Sequence, residues 1–397
     1  MSQSPIHALH VSIDTGCYQH HAAVGLSNGD YLGSFEFSHN KLGFGEFFAK
    51  IEHYKKHSDG EVCVAMEGYH GHARPLDRMI QMRDYRLFNI NNVKLARFKE
   101  IFPGAAKTDP IDARKGLELF QLQQTLPLAK TVLEEVSPVG EVEQQLKRLS
   151  RRRRRLVDER TRYINTLQAD LRALSPGLVE ITRAVGNLWF LNFLASAKDL
   201  RQLQRRKETS LLKIKQVGKG YVAAILAWQE NALFSDDIGF VWPLVHQDVL
   251  RIIELRTMVK TIEKQFTRLI GQSTIAQHLL SIRGFGEITC AELSGEIGCI
   301  ERFEKEASLA LYLGMAALDN SSGTYQGSKR SKQVNQRAKM AMMNGLDKHR
   351  RWVEQSGRYY QKKRSEGKKH NQALRSLGRH LVRVIFKMLK DDRDYYL

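Results

Sequence analysis

The feature that most constrains this chain is a change of hydrophobic period along its length. Between His7 and Asn91 the pattern switches repeatedly between strand and helix: HALHVSID alternates apolar and polar residues, HHAAVGLS and YLGSFEFS follow as short strands around an Asn28-Gly29-Asp30 turn, and GFGEFFAKIEHYKKH has helical spacing. EVCVAMEG is a nearly continuous apolar strand, HARPLDRMIQMRD a helix and YRLFNIN a further strand. After Pro127 the strand signals fade. Residues 141–175 form one long polar helix with apolar positions at Leu146, Leu149, Leu156, Ile164, Leu167 and Leu171, and 241–272 a second that can pair antiparallel with it. A chain of 397 residues exceeds one ordinary core, at roughly 150 residues per domain. The expected division is an α/β domain over 1–127, a helical, partly coiled-coil domain over 128–272, and a mainly α domain over 273–397.

Three strands in a meander followed by alternating helix and strand is the order of an RNase H-like domain, in which the first and fourth strands are neighbours. Asp14 ends the first strand and Glu67 ends the apolar fourth, where an acid is costly unless paired or metal-bound. Asp109 and Asp112 stand at i, i+3 in KTDPIDA, on one side of a starting helix. Four gathered carboxylates repel unless a cation neutralises them, and oxygen-only ligation suits Mg²⁺ or Mn²⁺, which can stabilise the oxygens of a phosphoryl transfer. Each acid also has a plainer reading. Asp109-Pro110 is a good helix start, Asp14 a strand-end turn residue and Glu67 a surface acid beside Gly68.

The charge balance, 62 Lys+Arg against 43 Asp+Glu for a net +19, points to a polyanionic partner. Basic residues concentrate beyond the first domain. Arg151, Arg152, Arg153, Arg154 and Arg155 run consecutively along the first long helix and so spread around its circumference, leaving part of the ring for solvent or an anion. SIRGFG precedes an apolar helix, and Gly284 and Gly286 would let backbone N–H groups approach a phosphate as in a helix-hairpin-helix turn; a plain interhelical turn is the alternative. The four cysteines are widely spaced and suit neither zinc nor a disulfide framework. With no leader pattern and no apolar stretch of ~20 residues, a cytoplasmic, nucleoid-associated protein with no membrane partner is expected.

SIDTG, AMEGYHG and AAKTDPIDARK, continued by IRGFGEITCAEL, YLGMAALDNSSG and the C-terminal basic helices, resemble the insertion-sequence transposases with a RuvC-like Asp-Glu-Asp-Asp tetrad, which include Piv-type DNA invertases and bridge-RNA-guided recombinases. The resemblance implies that Asp14, Glu67, Asp109 and Asp112 bind metal. It implies that Ser322 in NSSG, or else Ser321, attacks the scissile phosphate and holds the DNA end as a phosphoserine, with Lys329, Arg330 and Lys332 neutralising charge. It further implies donor and target DNA as partners, a structured guide RNA, and a homodimer or homotetramer. Two positions depart from the family's pattern: Met315-Ala316-Ala317 replaces a proline after the Leu-Gly pair, and Val334 stands where a glycine usually precedes the asparagine.

Alternatives differ by class. A Piv-type invertase or a RuvC-like junction-resolving nuclease would use the same acids, the nuclease with metal-activated water as nucleophile. A non-catalytic nucleic-acid-binding protein would have no reason to keep all four. The histidines near the acids, His20, His21, His70 and His72, are expected to be exposed polar residues.

Overall fold

The computed structural model describes residues 7–69, 71–101, 109–125, 132–329 and 334–396. The chain divides into two compact units, Met1–Pro138 and Val139–Leu397.

The first unit is built on a sheet of order β3-β2-β1-β4-β5-β6, from β1 (Leu9–Thr15), β2 (Gln19–Leu26), β3 (Tyr31–Ser38), β4 (Val62–Glu67), β5 (Arg86–Ile90) and β6 (Leu133–Glu135). β1 to β3 are antiparallel, β4 and β5 run parallel to β1, and β6 returns antiparallel to β5. The period of two sorts the side chains by face. Leu9, Val11 and Ile13 of β1 and Val62, Val64 and Met66 of β4 enter a core with Phe47 and Ile51 of α1 (Lys41–Lys55) and Leu76 and Ile80 of α2 (Arg74–Gln81). Cys63 and Ala65 enter the opposite core with Leu95 of α3 (Asn92–Lys99) and Leu119 and Phe120 of α4 (Asp109–Thr125). Each sheet face is therefore covered by helices.

The second unit is mostly helical. α5 (Glu141–Leu174) and α10 (Ile238–Ile270) pack antiparallel: Leu146 and Leu156 share a core with Leu255, Val259 and Phe266, while Leu167 and Leu171 meet Val245 and Val249. Between them lie α6 (Leu188–Ala195), α7 (Leu200–Gln204), α8 (Glu208–Leu211) and α9 (Lys219–Glu230), which close over α5 and α10 around Phe190, Phe193 and Trp242. α11 (Thr274–Leu280), α12 (Glu287–Ile297), α13 (Glu306–Tyr312), α14 (Gln336–Trp352), α15 (Glu354–Ser365) and α16 (His370–Lys390) form a further core that includes Ile282, Leu293, Leu346 and Ile385. Ala276 and Ala291 belong to the α5–α10 core, so the middle and C-terminal segments share packing.

Composition marks residues 319–328 as a Gly/Ser-rich loop. The structure corrects this: β7 (Leu318–Ser322) and β8 (Tyr325–Lys329) pair as a hairpin across Gly323-Thr324, with Gly323 at φ +56°. A two-residue turn needs such a left-handed position, which glycine takes without strain. Among the described residues, no helix is long and apolar enough to cross a membrane.

Candidate active site

The alternation that buries Val11 and Ile13 on one face of β1 puts His10, Ser12 and Asp14 on the other, under α4. His10 stacks on Phe120 with ring centroids 4.1 Å apart, and a Cβ built on Gly116 would lie 2.2 Å from the Ser12 Oγ. A side chain at 116 would force the Ser12 hydroxyl or the helix to move. Ala113 and Leu117 pack on Ala23 of β2 from the same helix face. This seating puts Asp112 one turn before Gly116, and Asp109 at the start of the helix. β1 and β4 are in parallel register through Ile13 opposite Met66, so Glu67 follows on the strand beside Asp14 and on its face.

The other three sequence-predicted acids thus act together on Asp14, whose carboxyl is pushed up to about 6. Burial is the largest cause, followed by the negative charges of Glu67, Asp112 and Asp109, while Lys99 opposes them. Two residues that sequence reasoning left out join the cluster. The Lys99 Nζ lies 2.8 Å from the Asp112 Oδ1, and His21, opposite Asp14 in the β1–β2 ladder, places its Nε2 2.6 Å from the Glu36 Oε1 and its Nδ1 3.8 Å from the Asp109 Oδ2. His21 was legible from its alternation within HHAAVGLS; Lys99 sits on a short helix that gave no clear period.

The expectation of exposed histidines is corrected for two of them. His20 is fully buried on the opposite face, its ring nitrogen 2.9 Å from His39, with its pKa lowered to about 4 by burial and then by His39, His72 and His21. The His21 side chain is only 12% exposed. His72 is exposed, and His70 lies outside the described residues.

The groups that raise the Asp14 carboxyl besides burial are, among the described residues, the carboxylates of Glu67, Asp112 and Asp109, a set that suits a hard divalent cation, and the Lys99 ammonium already stands among them as an internal cation. Among the described residues, no three His, Cys, Asp or Glu side chains stand close enough together to hold a metal in this arrangement.

In the second unit the arginine run divides. Arg151 forms a bidentate pair with Glu296 at 2.7 and 2.9 Å, Arg153 pairs with Glu263 and Arg154 with Glu292, whereas Arg152 and Arg155 are exposed. Glu296 is almost wholly buried; burial raises its pKa, but Arg151, with Asn335 and Lys147, holds it below the usual carboxylate range. Three of the five arginines therefore fasten α5 to α10 and α12. Gly284 has φ +92°, and a Cβ there would lie 2.6 Å from the His349 backbone nitrogen, so it is required for packing against α14. Gly286 caps α12 with open space before it. Ser322 is exposed at the end of β7, next to the turn. The backbone of Lys329 ends β8, while Arg330 and Lys332 lie outside the described residues, as does the side chain of Ser321.

Comparison with known proteins gives two family matches. Residues 11–176 match a family described as a transposase of the Asp-Glu-Asp-Asp type, and residues 276–361 match the transposase IS116/IS110/IS902 family, together well over half of the chain. The chain is 27% identical over 315 residues to the uncharacterised 43.6 kDa protein of insertion element IS110 of Streptomyces coelicolor, covering 76% of this chain and 75% of that protein. It is 25% identical over 345 residues to the uncharacterised 42 kDa protein of insertion element IS900 of Mycobacterium paratuberculosis, covering 85% of each.

Proposed function

Because the chain belongs to the IS116/IS110/IS902 family of insertion-sequence transposases, and so is a DNA-processing enzyme, we propose that it cleaves and rejoins DNA by phosphoryl transfer through a phosphoserine. The observation that carries this reading is the gathering of Glu67, Asp109 and Asp112 around a half-buried Asp14 whose proton is held to about pH 6. Carboxylates that share one region of a sheet face and raise one another's cost of ionisation serve a cation better than they serve stability. Asp14, Glu67, Asp109 and Asp112 would hold Mg²⁺ or Mn²⁺, which when bound neutralises charge developing on the phosphate. Lys99 holds Asp112 meanwhile. The sheet order β3-β2-β1-β4-β5 supports an RNase H-like assignment for this unit, and the pairing of α5 with α10 a coiled-coil-like one for the middle of the chain.

In the proposed step the Ser322 Oγ attacks phosphorus, the Oγ–P bond forms as the bridging P–O bond of the strand breaks, and the serine proton ends on the departing hydroxyl. The phosphodiester is conserved, so rejoining is the reverse attack and needs no ATP; the sequence accordingly lacks a GxxxxGK[ST] loop. The exposed hairpin end gives Ser322 the access this requires. We propose further that donor and target DNA are paired by a structured guide RNA on a homodimer or homotetramer, and that the division at 127 and 272 marks metal-binding, assembly and strand-transfer segments.

The test is to incubate the protein with DNA carrying its element ends and Mg²⁺ and to look for a denaturation-resistant adduct. Wild type should give one, and Ser322→Ala and Asp14→Ala should not. An adduct retained by Ser322→Ala and lost in Ser321→Ala moves the nucleophile by one residue. Cleavage without any adduct refutes the phosphoserine in favour of metal-activated water.

A further inference from the structure

Residues 177–275 lie outside both family matches. Within them the structure repeats the turn that precedes α12. Leu211, Ile214 and Val217 are matched by Leu279, Ile282 and Phe285: in each copy the third residue donates its N–H to the second carbonyl, and the second donates to the first. Gln216, at φ +68°, corresponds to Gly284, at φ +92°. Gly218 (φ −97°, ψ 172°) corresponds to Gly286 (φ −100°, ψ 169°), each capping the following helix without a side-chain hydrogen bond. Val222 and Cys290 then donate to the two cap carbonyls at 3.1 and 3.0 Å. Aligning the Gly-x-Gly letters of VGKGYV and RGFGEI sets the two copies two residues out of register, which hides the repeat in the sequence.

The copies differ in what surrounds them. The C-terminal turn is pressed against α14 at Gly284 and presents Glu287, whose carboxylate accepts from Thr267, in the first turn of its helix. The other turn presents Lys219 at that position, with open space before Gly218 and Gly220. Lys213 and Lys215, together with Arg206, line a shallow pocket of about 370 Å³ beside it. Lys213, Lys215 and Lys219 are exposed and have no carboxylate partner among the described residues, in contrast to Arg151, Arg153 and Arg154. From Lys198 to Lys219 there are eight basic residues and two acidic ones. A cluster of unpaired cations this dense is costly to hold together unless a polyanion shares it.

We propose that this second turn, with Lys213, Lys215, Lys219 and Arg206, is a docking site for the phosphate backbone of duplex DNA. It holds DNA by charge: Lys213, Lys215 and Lys219 present ammonium heads to solvent, which suit phosphates rather than base edges. Its role is to hold DNA by the backbone, independently of strand cleavage.

The experiment measures binding of full-length protein to a labelled duplex DNA without element sequence, in EDTA, across a salt series. Leaving out the divalent cation separates this result from the fate of the proposed serine chemistry. Lys213→Gln/Lys215→Gln/Lys219→Gln should weaken binding at least tenfold at low salt and flatten the slope of log K against log salt by about two to three, one phosphate contact being worth about 0.9. A charge-matched control, Lys41→Gln/Lys55→Gln/Lys56→Gln on and beside α1, should leave the slope unchanged, and both variants should melt like wild type. Equal slopes for the two triple variants overturn the proposal. So does a loss confined to a duplex RNA of the same length, which would make RNA the ligand of this surface.

Discussion

Gly116 decides how α4 sits, and its effect can be isolated from the acids it positions. Gly116→Ala drives a methyl to 2.2 Å from the Ser12 Oγ, while the next atoms, Ile90 Cδ1 and Ser12 Cβ, stay at 3.4 Å. Overpacking of this kind costs about 1–3 kcal/mol. Adding Ser12→Ala removes the close atom, so the double variant should recover most of the loss in chemical denaturation; additive losses would mean that another contact seats the helix. A second contrast lies within the arginine run. Arg151→Ala leaves the buried Glu296 carboxylate with only Asn335 and Lys147 and, with the arginine itself partly exposed, should cost about 1–3 kcal/mol, the range for hydrogen bonds to a charged group. Arg152→Ala, at an exposed position, should stay within about 0.5 kcal/mol. Five consecutive arginines are obvious in the sequence, but their partners are not, because Glu292 and Glu296 lie more than a hundred residues downstream and meet the run only when α12 packs on α5.

Elements whose side chains obey one period over many residues were legible: the five strands β1 to β5, and the two long helices, whose observed bounds fall within a few residues of the expected ones. The three-residue β6 and the eight-residue α3 are too short to show a period, and α3 carries Lys99. The β7–β8 hairpin was hidden because Asn, Ser and Gly are turn formers by composition, and only cross-strand pairing turns them into strands. At the chain's other end a clasp follows α16: His278 holds Asp394 at 2.8 Å and Asp392 at 3.0 Å. Burial pulls the His278 pKa down, but the bonds to the two aspartates outweigh it and leave it raised. A histidine raised on folding stabilises fully below its unfolded value, near 6.5, and loses that contribution as pH climbs through the folded value. His278→Gln should therefore lower the melting temperature at pH 6 and match wild type far more closely at pH 9; a deficit of the same size at both pH values would show that the clasp does not depend on charge.

Across the whole molecule charge separates two tasks. Residues 1–138 carry 15 Lys+Arg against 16 Asp+Glu, and residues 139–397 carry 47 against 27, so essentially all of the +19 lies in the helical unit. A salt-sensitive attraction to DNA is therefore expected of the second unit, and a nearly neutral first unit is free to concentrate negative charge at one point. That concentration has a cost to the metal-free fold. Asp14 is raised from 3.8 to about 6, so the unfolded chain ionises first and stability falls as pH rises from about 4 to about 6, with the whole penalty present at pH 7. Asp14→Asn should accordingly leave the metal-free protein at least as stable as wild type at pH 7 while abolishing activity, the usual sign of a residue kept for function against stability. Mg²⁺ or Mn²⁺ should reverse the order: a ligand at ten times its dissociation constant stabilises the wild-type first unit by about 1.4 kcal/mol and Asp14→Asn by much less. Calorimetry of the two proteins with and without the cation reads this directly. An equal cation-induced shift in both would remove Asp14 from the metal-binding set.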